Sequence, residues 1–253
     1  MRKLLLLVVP VAGALGGVTF AAAAGGHAAP KPTLTEAVAS TAGASSERYT
    51  IDVRMTREHT PFTLHIRGQA SRETVSVKLR LGSLRLDDGT VVPGPSGATL
   101  LDRSFLYERA PSGLAVGKVR WLRLSVAALG PGSDDLRAVR ATTPAPLLRL
   151  LRAAQIAPAR EGARAYHGTV AYDDPAMHAL SKLTGDTEFR HLRVSALVGA
   201  DGFVHRIVLT GRTADGSTSF SLRARLLGFG EPVHTTPPAP GTFVDPALAQ
   251  TVS

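Results

Sequence analysis

The 253-residue chain contains no cysteine. Without thiols it forms no disulfide, no thiolate metal site and no cysteine nucleophile. The same absence removes the cysteine to which the N-terminal diacylglycerol anchor of bacterial lipoproteins is attached. The composition therefore leaves open how this chain would be held at a membrane.

Catalytic and metal-binding motifs are also lacking. The chain has no Gly-x-Ser-x-Gly, Walker A or Gly-x-Gly-x-x-Gly sequence. It therefore lacks the motifs that are typical of hydrolases, NTPases and dinucleotide-binding proteins. None of the eight histidines stands in a His-Glu-x-x-His motif or another metal-ligand spacing. We therefore predict no catalytic residue, no metal and no cofactor, although a triad that converges from distant positions would leave no such motif.

Acidic residues are few relative to basic ones. There are 20 Asp and Glu against 29 Lys and Arg, which gives a formal net charge of +9. Such a balance suits nucleic acid, anionic lipid headgroups or an acidic surface polymer. The basic residues are mostly arginines dispersed singly, and no cluster of them is interleaved with aromatic residues, which make up only 5% of the chain. This pattern disfavours nucleic acid as a partner.

The first 29 residues have the three parts of a secretory signal peptide. Arg2 and Lys3 precede the segment Leu4–Phe20, which is apolar apart from one threonine, and small residues follow in Ala21–Ala24. The stretch without charge extends to Lys31 and is long enough to span a bilayer of about 30 Å. An uncleaved membrane anchor is therefore the alternative to a cleaved signal.

The rest of the chain is predicted to form one domain between two short flanking segments. Residues 30–47 are rich in Ala, Ser, Thr and Pro, which is typical of a flexible tether. Residues 48–245 are long enough to bury a substantial core, and residues 246–253 are predicted to be a tail.

Apolar and polar residues alternate with a period of two over much of this domain. The segments Tyr49–Met55, Phe62–Ile66 and Val75–Leu81 each have one apolar and one polar face, which predicts an antiparallel meander. Three C-terminal strands are predicted, two of them joined by Asp201-Gly202, a strong hairpin signal because glycine readily adopts positive φ. The other predicted strands are Leu100–Arg109, Val119–Val126 and Ala165–Tyr172.

The spacing of the apolar residues changes in the middle of the chain from a strand pattern to a helix pattern. Pro144–Ala154 is predicted to be a short helix with a wide apolar band formed by Leu147, Leu148, Leu150 and Leu151. Asp174-Pro175 predicts the start of a second helix, because an acidic N-cap is followed by proline at the first helical position. The helices are too few to cover both faces of a sheet. We therefore predict an α+β fold, in which a strongly curved antiparallel sheet (a half-barrel) carries a few short helices on its concave side.

Several short matches in this order resemble a known family. They are Tyr107–Arg109, Tyr166–Gly168, the Asp201-Gly202 turn and the bend Phe229–Val233. Over residues 48–245 the chain resembles the bacterial lipoprotein-carrier (LolA-like) superfamily, and most closely its actinobacterial LppX/LprG-type lipid-binding branch. The resemblance implies that the half-barrel and its helices enclose an apolar cavity for acyl chains. The missing anchor cysteine departs from many members of that branch.

The resemblance implies a set of candidate binding residues. The candidates for lining the apolar cavity are Ile51, Val53, Leu64, Ile66, Val77, Leu79, Leu122, Leu124, Leu147, Leu148, Leu151, Leu180, Val194, Ile207, Phe220 and Leu222. Arg149 and Arg152 are the candidates for contact with lipid headgroups at the rim. For any single apolar residue, a place in an ordinary core is the simpler interpretation. Trp121 is interpreted as a partly buried packing residue.

Two functions follow as hypotheses. The first is an exported cell-envelope protein, not an enzyme, whose partners are the acyl chains of lipids, glycolipids or lipoproteins and the membrane surface. The second is a sensor domain like that of RseB-like regulators, which share this fold and bind a partner protein. A hollow apolar cavity favours the carrier, whereas a filled core with a sizeable exposed apolar patch favours the sensor.

Overall fold

A computed structural model of the protein describes residues 32–57, 60–85, 90–109, 120–160, 163–170, 189 and 192–245. The helices in these ranges are α1 (Leu34–Gly43), α2 (Val126–Leu129), α3 (Asp134–Ala141) and α4 (Ala145–Ala153). The first strands are β1 (Ser46–Arg57), β2 (Thr60–Ser71), β3 (Val75–Leu81), β4 (Leu84–Arg85), β5 (Val91–Val92), β6 (Ser96–Leu101), β7 (Phe105–Arg109) and β8 (Trp121–Ser125). The later strands are β9 (Gln155–Pro158), β10 (Ala165–Val170), β11 (Leu192–Val198), β12 (Val204–Arg212), β13 (Thr218–Leu227) and β14 (Phe243–Val244).

Twelve of the described strands form one curled sheet in the order β14-β8-β7-β6-β3-β2-β1-β13-β12-β11-β10-β9. All neighbours in it are antiparallel except β14 and β8, which are parallel. Strands β1, β2 and β3 are the predicted meander, and β4 pairs with β5 apart from the large sheet. The predicted α+β fold class, with a curled antiparallel sheet and a few helices, is confirmed.

The period of two in the sequence gives this sheet one buried face. In β1, Tyr49, Ile51 and Val53 are each 1% exposed, whereas Arg54, at the position between Val53 and Met55, is exposed. The register places Ile51 between Ile66 of β2 and Ala224 of β13, so apolar side chains of neighbouring strands stand on the same face. Burial of each Val or Ile side chain is worth about 1.5–3 kcal/mol, which fixes this register. Helices α1 and α4 join the same core, on what is the concave side of the sheet.

Helix α1 contradicts the predicted flexible tether over residues 30–47. It begins with a capping box, in which Thr33 Oγ1 accepts from the backbone N–H of Glu36 (3.3 Å) and Glu36 Oε2 accepts from that of Thr33 (2.7 Å). Ala37 and Val38 are buried in the main core, and Thr41 Oγ1 accepts from the backbone N–H of Val204 (2.8 Å). The alanines that made the segment look like a linker favour helix and let it approach the sheet closely.

The predicted strand Leu100–Arg109 is in fact a hairpin, β6 and β7. Asp102 Oδ1 accepts from the backbone N–H groups of Ser104 and Phe105, both at 2.7 Å, and this turn reverses the chain. The next predicted strand ends early, because Ser125 caps helix α2. The predicted hairpin between β11 and β12 is confirmed, with Gly202 at a φ of 81°.

The predicted helix Pro144–Ala154 is confirmed as α4, whereas the predicted strand Ala165–Tyr172 is described as far as Val170, as β10. The predicted helix start at Asp174-Pro175 lies outside the described residues, as do the leader and the tail at residues 246–253.

After β13 the chain crosses the outer face of the sheet and ends in β14. Gln69 Nε2 of β2 donates to the carbonyl oxygen of His234 at 2.9 Å. Arg123 of β8 donates from Nε and Nη2 to the two carboxylate oxygens of Asp245, at 2.8 and 2.9 Å. Its guanidinium lies 4.7 Å from the ring centre of Phe105 and 4.4 Å from that of Phe243. These contacts fix the C-terminal segment to the outer side of the sheet.

Candidate functional site

Most of the predicted cavity residues come together on the concave face of the sheet. The residues buried there in one cluster are Ile51, Val53, Ile66, Val77, Leu147, Leu148, Leu151, Val194, Ile207, Phe220 and Leu222. Leu64 and Leu79 are partly buried and pack against this cluster. Leu124 packs against a second cluster around Leu106, and Leu122 is partly buried beside it on β8. Leu180 lies outside the described residues.

Helix α4 covers the centre of this face. Pro144 precedes its first residue and supplies a backbone already close to helical geometry. Leu147 and Leu151 are one helical spacing apart, and Leu148 and Leu150 flank them, so all four leucines reach the core. Helix α1 contacts α4 and β12, so the two helices share the cover of the apolar face.

The centre of the concave face is filled by side chains. Leu147 is 1% exposed, and Leu150 and Ile207 are 0% exposed. A side chain that lined a water-sized void would keep accessible surface inside that void, so these three side chains border none. The apolar cavity that the family resemblance implies is therefore filled in this part of the site. The leucines of α4, together with Val38 of α1, occupy the space that larger aromatic groups would otherwise fill.

The apolar face continues beyond the filled centre to one end of strands β1, β2 and β3. Met55 of β1 stands opposite Phe62 of β2, and Leu64 of β2 stands opposite Leu81 of β3. These residues and Leu79 are all partly exposed. We name this group of five residues the open end. Met55, Phe62 and Leu81 were not among the predicted site residues, although they continue the same alternation by one more step.

Two carboxylates point to the concave side and are poorly solvated. Glu47, opposite Ala70, lies on the same face as Tyr49, and burial raises its pKa to about 7. Among the described groups, its Oε2 atom has no hydrogen-bond partner. Glu108 of β7 stands opposite Thr99 and Leu122, and burial and the nearby negative charge of Asp135 raise its pKa. Burial on the concave side therefore shifts both carboxyls towards the neutral form.

The predicted headgroup residues are on the solvent side of α4. Arg149 and Arg152 are both exposed, whereas the leucines between and beside them are buried. Arg152 also lies in the last turn of the helix, where a positive charge interacts favourably with the backbone carbonyls. The structure thus separates the two arginines from the buried apolar cluster by the thickness of the helix.

No family model matches this chain, and no curated protein matches it. Its fold is similar to that of LprF from Mycobacterium bovis, with 14% identity and a TM-score of 0.47, over 83% of this chain and 99% of that one. It is similar to the lipoprotein LppX from Mycobacterium tuberculosis, with 13% identity and a TM-score of 0.38, over 80% and 96% of the two chains.

A third similar structure is a domain from Vibrio parahaemolyticus described as outer membrane lipoprotein-sorting. Its identity is 7% and its TM-score is 0.28, over 79% of this chain and 92% of that one.

Within the ranges that the structure describes, no helix combines the length and the apolar character needed to cross a bilayer.

Proposed function

We propose that this protein is an exported, non-enzymatic carrier that binds lipid acyl chains on the concave face of its sheet. The observation that carries the proposal is the continuous apolar face, capped by α1 and α4 at its centre and partly exposed at the open end. An acyl chain that contacts Leu64 and Leu79 removes apolar surface from water at about 25 cal/mol per Å². To pass further it displaces α4, whose contacts with the sheet are side-chain contacts between apolar groups.

The charges around the site suit such a ligand. Arg149 and Arg152 on α4 are exposed and free to meet an anionic headgroup, as the sequence predicts. Burial raises the pKa of Glu47 to about 7 and also raises the pKa of Glu108, so both carboxyls on the concave side lose their charge at a higher pH than an exposed carboxyl would. Extraction of the purified protein with organic solvent, followed by mass spectrometry, tests the proposal directly. A lipid recovered in stoichiometric amount is the expected result.

A tryptophan at the open end tests where the chain binds. Leu64→Trp is expected to weaken the binding of a fluorescent fatty acid at least about tenfold, because the larger ring occupies the partly exposed apolar strip. The fold should tolerate the change, since Leu64 is not fully buried. Thr56→Trp, on the exposed opposite face of neighbouring β1, is the matched control and should bind as the wild type does. Equal affinity in both variants would contradict binding at the open end.

Processing of the leader gives a second test of the proposal, because a carrier of envelope lipids must be exported. We expect the mature chain to start between Ala22 and Lys31, since the small residues Ala21–Ala24 directly follow the apolar segment. N-terminal sequencing of the exported protein measures this. Recovery of the chain with Met1 intact in a membrane fraction would instead establish an uncleaved anchor.

The filled centre of the concave face is the one observation that favours the sensor function. That function also requires a sizeable exposed apolar patch. Among the described residues, the large apolar side chains that are exposed are Val91 and Leu227, which lie on β5 and at the end of β13. Two residues on separate strands do not make such a patch, so the carrier is the better supported function.

A further inference from the structure

The outer face of the sheet is strongly basic over its six central strands, β3-β2-β1-β13-β12-β11. Among the described residues, ten exposed cationic side chains stand at its outward positions. Arg48 is paired with Glu231, and the other nine are Arg54, Arg67, Lys78, Arg80, Arg193, Arg206, Arg212, Arg223 and Arg225. The single carboxylate at the described outward positions of these strands is Asp52, which is 2.7 Å from Nδ1 of His65. The excess of positive charge is therefore concentrated on this face. We name these nine residues the basic face.

Within the part of the chain that the structure describes, the basic face is not neutralised. None of its nine side chains forms an ion pair or a side-chain hydrogen bond with another described residue. Two cross-strand pairs even place like charges directly opposite each other, Arg206 with Arg225 and Arg67 with Lys78. Such pairs destabilise a sheet. An external anion bound between the charges would offset this repulsion and would explain why the like charges are kept together.

Two adjoining grooves on this face offer room for such anions. The first has a volume of about 470 Å³ and is lined in part by Gln69 and by Arg48, which is paired with Glu231. The second has a volume of about 690 Å³ and is lined in part by Arg80 and Asp52. Both grooves share Arg67 and Lys78. The grooves thus meet at the cross-strand pair of like charges, where a phosphate would relieve the repulsion.

We propose that the basic face docks the protein on an anionic phospholipid bilayer. The charges are spread in two dimensions, across six strands spaced about 4.8 Å apart, and this spread matches a plane of phosphates better than one linear polyanion. The outward positions of these strands, as far as they are described, carry no Phe, Tyr or Trp on which nucleic-acid bases could stack. Docking by this face is separate from acyl-chain binding, which uses the opposite side of the sheet.

The test compares two triple variants of the mature full-length chain that have the same net charge. The first, Arg67→Gln, Lys78→Gln and Arg225→Gln, removes charges from the basic face. The second, Arg137→Gln, Arg140→Gln and Arg160→Gln, removes exposed charges from α3 and from the loop after β9. Binding is measured by sedimentation with vesicles of equal parts phosphatidylcholine and phosphatidylglycerol, and with vesicles of phosphatidylcholine alone.

We expect the wild type to bind the anionic vesicles and not the neutral ones. The first triple variant should lose binding about 100-fold, since each basic residue near an anionic surface is worth about fivefold, and the second should lose less than about threefold. Binding should also weaken as salt is raised, because charges are screened beyond about 8 Å at physiological ionic strength. Fatty-acid binding should be the same in all three proteins, which distinguishes failure of docking from failure of the carrier function.

Three results would overturn the docking surface. They are equal losses in the two triple variants, equal binding to neutral vesicles, and displacement from vesicles by duplex DNA at matched phosphate concentration, which would assign the face to a soluble polyanion. Thermal melting checks that both variants fold. The single change Lys78→Glu, at an exposed position, provides the same comparison if a triple variant does not fold.

Discussion

Replacing Glu47 with glutamine is expected to make the protein more stable above pH 7 by about 2–3 kcal/mol. Burial raises the pKa of this carboxyl from 4.5 to about 7 in the folded protein. Between these two values the folded protein holds a proton that the unfolded chain releases. The free energy of unfolding of the wild type therefore falls as pH rises from about 4.5 to about 7 and stays lower above that window.

Glutamine carries no charge at any pH, so the variant should lose this part of the pH dependence. Urea unfolding at a series of pH values measures it, with the difference between the proteins small at the acidic end and largest at pH 8. Glu73→Gln is the control, because Glu73 is exposed and paired with Arg103 at the surface. Parallel stability curves for the wild type and Glu47→Gln across the window would show that Glu47 is solvated in the folded protein.

Leu150→Ala is expected to destabilise the protein by about 2–5 kcal/mol, the largest effect of any single change considered for this chain. Leu150 is 0% exposed and belongs to the cluster that fills the space between α4 and the sheet. Its removal deletes buried apolar contacts and leaves a cavity that neighbouring side chains close only in part. For a domain of this size the melting temperature should fall by roughly 5–15 °C.

The matched control is Leu227→Ala, because Leu227 is 45% exposed at the end of β13. It should change the melting temperature little, since most of its side chain already contacts water. A Leu150→Ala variant with the same melting temperature as the wild type would show that α4 does not pack on the sheet in solution. The conclusion that side chains fill the centre of the concave face would then be wrong.

The strands of this fold are largely predictable because one face of each strand is apolar and the other is polar. The alternation around Ile51 and Ile66 predicts both the strands and the face that is buried, and Asp201-Gly202 predicts the hairpin between β11 and β12. Both signals are local: a period of two, and a glycine at positive φ. The sequence does not predict that β1 pairs with β13, because that pairing joins residues far apart in the chain.

The errors have both local and tertiary origins. Residues 34–43 have the composition of a linker, although Thr33 and Glu36 form a capping box, which is a local helix signal. The burial of Ala37 and Val38 and the hydrogen bond from the backbone N–H of Val204 to Thr41 then fix the helix on the sheet. The turn at Asp102 has a local signal that the prediction of one continuous strand overlooks, because Asp102, Arg103 and Ser104 form a polar run between Leu101 and Phe105. Whether Leu147 and Leu148 border a hollow or fill it depends on side-chain volumes on several elements, which no pattern along one element encodes.

The basic face could have been predicted in part. Every second residue of β13 from Ser219 to Arg225 is polar or cationic, and the same holds for Arg67 and Lys78 in their strands. The sequence does not predict which of these strands are neighbours in the sheet. Because β1 lies between β2 and β13, charges from both halves of the chain are collected on one surface. Arginines that look singly dispersed along the sequence are therefore clustered in space.

The position of β1 in the sheet also affects how the chain folds. Arg48 is paired with Leu227, so one edge of β1 stays open until nearly the whole chain is available. Contacts of such long sequence separation close slowly, and folding of this sheet should be slow for its size. In the meantime the free edge of β1 is a template for pairing with other chains. A chain truncated before β13 should for this reason aggregate, even though β1, β2 and β3 are complete.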